Sequence, residues 1–160
     1  MDNAKEIVEI IKDYCNDQVA EYSIMITGKW GAGKTFFIKN SIEPILDKEI
    51  LYVSLNGINE LSDIDKQIVL SVYPILDNKG VKAVGSVAGA ALKYFKLDAL
   101  KDVVDIKDLP KKLNDKILCF DDIERAKIDI DQLLGYINKF VEHMAIKTLL
   151  ICNEDKISNV

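Results

Sequence analysis

The sequence predicts an α/β fold, a mainly parallel sheet with helices on both faces, from three observations. Short apolar, β-prone runs alternate with stretches whose apolar residues recur at helical spacing. The runs finish at glycine, acidic or polar residues, so the candidate chemistry gathers at strand carboxyl ends, where parallel sheets place their ligands. Between the first run and a helical pattern lies Gly28-Lys29-Trp30-Gly31-Ala32-Gly33-Lys34-Thr35, which fits G-x-x-x-x-G-K-[ST] without mismatch.

The elements follow in order. From Asn3 to about Cys15, Ala4, Ile7, Val8, Ile10, Ile11 and Tyr14 define a leading amphipathic helix. Tyr22 to Thr27 reads as the first strand, and Pro44 ends or kinks the helix that follows Thr35. Glu49 to Leu55 is a second buried strand, turned by Asn56-Gly57. A helix from Ser62 to about Leu76 sets Ile64, Ile68, Val69, Val72 and Tyr73 on one side and stops at Pro74 and the Asp77-Asn78-Lys79-Gly80 turn.

Residues from about 80 to 115 fit no compact nucleotide-binding core and read as a helical insertion. Within it Ala83 to Leu92 is apolar and carries Gly85-x-x-x-Gly89, a pairing found between membrane helices. Lys82 and Lys93 flank only about ten residues, whereas a spanning helix needs about twenty, so a surface or partly buried helix is expected and a membrane partner is not. Lys116 to Phe120 is the third strand and runs into Asp121-Asp122-Ile123-Glu124-Arg125. A helix from about Asp129 buries Ile130, Leu133, Leu134, Ile137, Phe140, Val141 and Met144, and Thr148 to Cys152 is the fourth strand, ending at Asn153.

With 160 residues, 49% of them hydrophobic, the chain can bury one core and is expected to be a single domain over residues 1–160. Lys+Arg 21 against Asp+Glu 26 leaves a net charge of −5, which gives no bulk basic field for nucleic acid. Cys15, Cys119 and Cys152 show no C-x-x-C spacing and read as reduced core residues. Asp2, Lys5, Glu6 and Glu9 interrupt the start with charge, so no signal peptide is read and a cytoplasmic location is expected.

The loop has the residue types a triphosphate demands. Gly28, Gly31 and Gly33 allow successive N–H groups to turn inward as an anion-binding nest. Lys34 is a mobile charge for the β and γ phosphates, the Thr35 hydroxyl a ligand for Mg²⁺, and the helix opening through Phe36 adds its N-terminal partial charge. Asp121, at the end of an apolar strand, is the matching carboxylate for Mg²⁺. Asp122 is the candidate base for the attacking water, with Glu124 in reserve; the plainer reading of Glu124 is an acidic turn that caps the next helix. Asn153 can hydrogen-bond the lytic water or the γ phosphate, or serve as an ordinary turn residue. Trp30 either leans on the nucleotide or covers the sheet edge, and His143 reads as a surface or packing residue.

The loop, the strand Leu51-Tyr52-Val53-Ser54-Leu55-Asn56-Gly57-Ile58 and Phe120-Asp121-Asp122-Ile123-Glu124-Arg125 together resemble the KAP group of P-loop NTPases, over roughly residues 3 to 155. The tryptophan in the loop and the acidic pair followed by acid-arginine are the more specific marks. The resemblance implies a three-layer, AAA-like P-loop NTPase fold. It implies phosphate binding by Gly28, Lys29, Trp30, Gly31, Ala32, Gly33, Lys34, Thr35 and Phe36, Mg²⁺ at Thr35 and Asp121, and hydrolysis at Asp122. Relatives include large bacterial proteins, some tied to phage defence, in which the ATPase is a switching or oligomerising module joined to further domains or subunits. Their core also has a fifth strand and a helical lid that this sequence lacks, so a domain incomplete at its C-terminus and a phosphate-loop strand on the sheet edge are expected.

The leading function is an Mg²⁺·ATP hydrolase driving conformational switching or assembly; the alternative is a nucleotide-gated binding module with little turnover, and a phosphoryl-transfer kinase has no visible acceptor site. GTP is less well supported, since Asn153-Glu154-Asp155-Lys156 has the letters of N-K-x-D in the wrong order.

Overall fold

Alternation along the central strands sets the layering in the computed structural model, which describes residues 3–72 and 109–157. In β3 (Lys116–Asp121), Ile117 and Cys119 bury on one face while Leu118 and Phe120 bury on the other. In β4 (Thr148–Cys152), Leu149 and Ile151 divide from Leu150 and Cys152 in the same way. Strands apolar on both faces need helices on both. Helix α1 (Asn3–Asn16) and the helical run opened by α2 (Lys34–Phe37) cover one face through Ile11, Tyr14, Ile38 and Ile42. Helices α3 (Leu61–Val72), α4 (Leu109–Asn114) and α5 (Ile130–Asn138) cover the other through Ile64, Ile68, Leu113, Leu133 and Ile137.

The sheet is parallel throughout, with β1 (Ile24–Thr27) and β2 (Glu49–Ser54) at its two edges in the order β1-β4-β3-β2. Thr27 lies beside Cys152, and Ser54 beside Asp121. Because β4 separates β1 from β3, its end at Asn153 falls between the phosphate loop and the acidic strand end. Among the described residues β1 has a neighbour on one side only, the edge position expected for it, and Met25 is 42% exposed there.

Tyr14 fastens α1 to the base of the sheet. Its hydroxyl donates to the Tyr22 carbonyl at 2.7 Å, with the Thr148 carbonyl also in reach at 3.1 Å, and accepts the Thr148 N–H at 2.9 Å. Cys15, Cys119 and Cys152 are buried and unpaired by disulfides.

Helix geometry departs from the regular pattern read in the sequence. After four residues α2 widens to a π turn over Ile38–Ile42, then tightens to a 3₁₀ turn over Glu43–Ile45. Pro44 stands in that last turn and has no N–H for an α-helical bond. Helix α5 likewise gives way to a π turn at Lys139–His143, closed by Met144 N–H to the Lys139 carbonyl at 3.2 Å. The first strand starts at Ile24 rather than Tyr22, whose carbonyl is engaged by Tyr14. The expected insertion lies outside the described residues up to position 108, including Gly85 and Gly89; its final part is α4, and Leu113 there is fully buried. Among the described residues no helix is long and apolar enough to cross a membrane.

Candidate nucleotide site

The loop leaves β1 at Gly28, whose N–H donates to the Cys152 carbonyl at 3.3 Å and so anchors the loop to β4. Gly31 and Gly33 have φ of 78° and 81°, the left-handed region where a side chain is strained. A Cβ at either would meet no atom within 4 Å, so the loop faces open space at both. Lys34 folds back over the loop: its ammonium donates to the carbonyls of Gly28 at 2.6 Å and Lys29 at 3.2 Å. The Ala32 N–H donates to Lys29 at 3.1 Å and the Phe37 N–H to Gly33 at 2.8 Å. Thr35 Oγ1 then reaches across to donate to Asp121 Oδ2 at 2.7 Å.

Where β3 ends, the other Asp121 oxygen accepts the Asp122 N–H at 2.8 Å. Asp122 adopts φ 59°, ψ 44°, a left-handed conformation that short polar side chains tolerate better than most. It turns the chain into a 3₁₀ turn, Ile123–Arg125, pinned by buried Ile123. Asp122 Oδ1 lies 3.3 Å from Arg125 Nε. Burial raises the Asp122 pKa, the Asp121 charge raises it further, and Arg125 and Lys34 offset this in part.

Loop and strand end meet at a cleft of about 230 Å³ lined by Trp30, Gly31, Gly33, Lys34, Thr35 and Phe36 on one side and by Asp121, Asp122 and Arg125 on the other. Gly28, Lys29 and Ala32 supply the loop's internal hydrogen bonds instead of lining the cleft. A larger hollow of about 360 Å³ lies at the amino ends of the strands beside Cys15, Lys48 and Lys147. It holds none of the motif residues, and both lysines there donate to backbone carbonyls, of Asn114 and Ala20. The smaller cleft, at the strand carboxyl ends, therefore remains the candidate site.

Glu124 and Asn153 are close to each other but do not line that cleft. Glu124 Oε1 accepts the Trp30 indole N–H at 2.5 Å, while Oε2 is buried without a hydrogen-bond partner among the described residues. Burial works against the Glu124 charge, but the Trp30 N–H and the backbone N–H groups of Glu124 and Asn153 outweigh it and hold its pKa below the usual value. Those backbone groups favour the charge without forming a well-made bond to Oε2. Asn153 is 4% exposed at the end of β4. His143 is exposed on the π turn before β4 and takes no part.

Arg125 lines the cleft although no motif position assigns it a role. Its guanidinium lies 4.8 Å from the centre of the Trp30 ring, and the Lys156 ammonium lies 5.7 Å from the same ring. The signal available was its position three residues after Asp122, a spacing that lets the pair meet once the 3₁₀ turn forms.

A family model for the KAP family P-loop domain matches residues 2–56 and 48–160. Comparison with curated proteins and with solved structures gives no match. The matched residues include the loop, the acidic strand end and all four strands of the sheet, the parts that form a nucleotide site in a domain of this kind. The chain belongs to the KAP family of P-loop NTPases.

Proposed function

We propose that the cleft binds Mg²⁺·ATP and that hydrolysis there drives conformational switching or assembly in further domains or partner subunits. The observation that carries this reading is the 2.7 Å bond from Thr35 to Asp121, which brings the loop hydroxyl and the strand-end carboxylate into one site. Hard divalent cations take oxygen ligands, and Thr35 with Asp121 would hold Mg²⁺. Among the described residues no cluster of three or more His, Cys, Asp or Glu side chains is arranged to hold a metal, so the rest of the ion's shell falls to nucleotide oxygens and water. When bound, the ion neutralises phosphate charge.

The chain's own groups divide the remaining work. Lys34 places a positive charge within the loop, and Asp122 faces the cleft with a carboxylate of raised basicity. Water attacks the γ-phosphorus, its proton passes to Asp122, and the bond to the β-phosphate oxygen breaks to release ADP and phosphate. Glu124 is the reserve base and Asn153 the polar residue between loop and acids. Phosphate release by the full chain is expected to depend on Mg²⁺ and to fall about 100-fold in Asp122→Asn; release that the substitution leaves unchanged contradicts the reading.

A second reading, a nucleotide-gated assembly module with little turnover, is favoured by one feature: both candidate bases carry partners, Asp122 with Arg125 and Glu124 with Trp30. Tight ATP binding with negligible phosphate release selects it. The family resemblance supports a setting within a larger bacterial protein, such as those tied to phage defence.

A further inference from the structure

We infer that Trp30 is a positioning residue that ties the phosphate loop to the acidic end of β3 and so fixes where Arg125 and Asp122 stand in the cleft. This rests on the hydrolytic reading of the same cleft. Trp30 occupies a position at which the loop spacing accepts any residue, and it is 52% exposed, so burial of its ring does not explain it. Its polar edge is engaged by Glu124 at 2.5 Å. That carboxylate stays inside, where Oε2 finds no hydrogen-bond partner among the described residues, so the indole bond to Oε1 is the side-chain bond that holds it there.

The ring faces cations. Arg125 sits at 4.8 Å, within cation–π range, and the same guanidinium lies 3.3 Å from Asp122 Oδ1. Lys156, from the turn after β4, approaches the ring at 5.7 Å. One side chain of the loop therefore contacts the turns that follow both β3 and β4, and its link to Asp122 passes through Arg125. A tryptophan present to stack on a base would need neither the bond to Glu124 nor the guanidinium.

The test uses the full chain. Trp30→Ala is expected to lower kcat about tenfold with KM for ATP changed less than about threefold, because a misplaced base slows the chemical step without removing phosphate contacts. Trp30→Phe keeps a ring for Arg125 and is expected to recover part of that loss. Combined with Arg125→Met, Trp30→Ala is expected to add little beyond either single change, as residues acting through one another do. A raised KM with kcat intact shows a nucleotide-stacking role and overturns the inference, as does full additivity. Trp30 is the only tryptophan, so its emission reads the tie without turnover. Glu124→Ala and Arg125→Met are each expected to shift the emission maximum, and no shift in either overturns the tie itself. A wild-type chain that shows these shifts but hydrolyses no ATP contradicts the hydrolytic reading, and the catalytic positioning role falls with it.

Discussion

The Thr35 hydroxyl and the Asp121 carboxylate, 86 positions apart in the chain, are hydrogen-bonded at 2.7 Å. Four elements of the fold make that possible: β1 delivers the loop, β3 delivers the acid, β4 spaces them, and the first turn of α2 turns Thr35 toward the strand end. The pair offers two oxygens at one point, the donor set a hard cation prefers.

Nucleotide affinity should therefore depend on the metal through this pair. Asp121→Asn and Thr35→Val are each expected to weaken ATP binding about tenfold or more in the presence of Mg²⁺, and to change it little in EDTA. Calorimetric titrations with and without the metal measure the difference. Equal losses in both conditions would assign the pair to folding alone.

Ala145, in the turn before β4, has φ 51°, a left-handed conformation that costs an alanine about 1–2 kcal/mol. Ala145→Gly should stabilise the chain by about 0.5–1 kcal/mol once glycine's greater freedom in the unfolded state is subtracted. Urea unfolding measures this, and a destabilised variant contradicts it.

Alkaline pH should loosen the fold through Tyr14. Burial pushes its hydroxyl from 10.0 up to about 12, helped by Cys15 and Tyr22 and opposed by the hydrogen bond with Thr148. The folded pKa lies above the unfolded one, so the contribution is whole below pH 10 and is lost as pH rises through about 12. The loss is on the order of 2 kcal/mol for this group, and Tyr136 and Tyr52, also raised chiefly by burial, act in the same direction. Denaturation at pH 8, 10 and 11 should show falling stability, with a shallower fall in Tyr14→Phe; identical slopes would remove Tyr14 from the explanation.

Much of this architecture is legible in the sequence because strands buried on both faces must be nearly continuous in apolar residues. Ile117 to Phe120 and Leu149 to Cys152 are such runs, and both are buried along their length. The loop is legible because phosphate binding restricts residue type at fixed spacing. Backbone departures are not. Nothing in Ala145 announces a positive φ, as a glycine or asparagine would, and Asp122, a residue type that tolerates the left-handed region, is also at home in ordinary backbone. The π turns at Ile38–Ile42 and Lys139–His143 leave the apolar spacing readable as plain helix. The bond between Trp30 and Glu124 joins residues 94 apart, and only the sheet order brings them together.

Phosphate binding by the loop should turn on Lys34, whose ammonium is held over the loop by the Gly28 and Lys29 carbonyls. The decisive measurement is titration of Mg²⁺·ATP into the wild-type chain and into Lys34→Ala. Saturable binding by the wild type, weakened about tenfold or more in the variant, is expected. Absence of binding by the wild type, or equal binding by both, would contradict it.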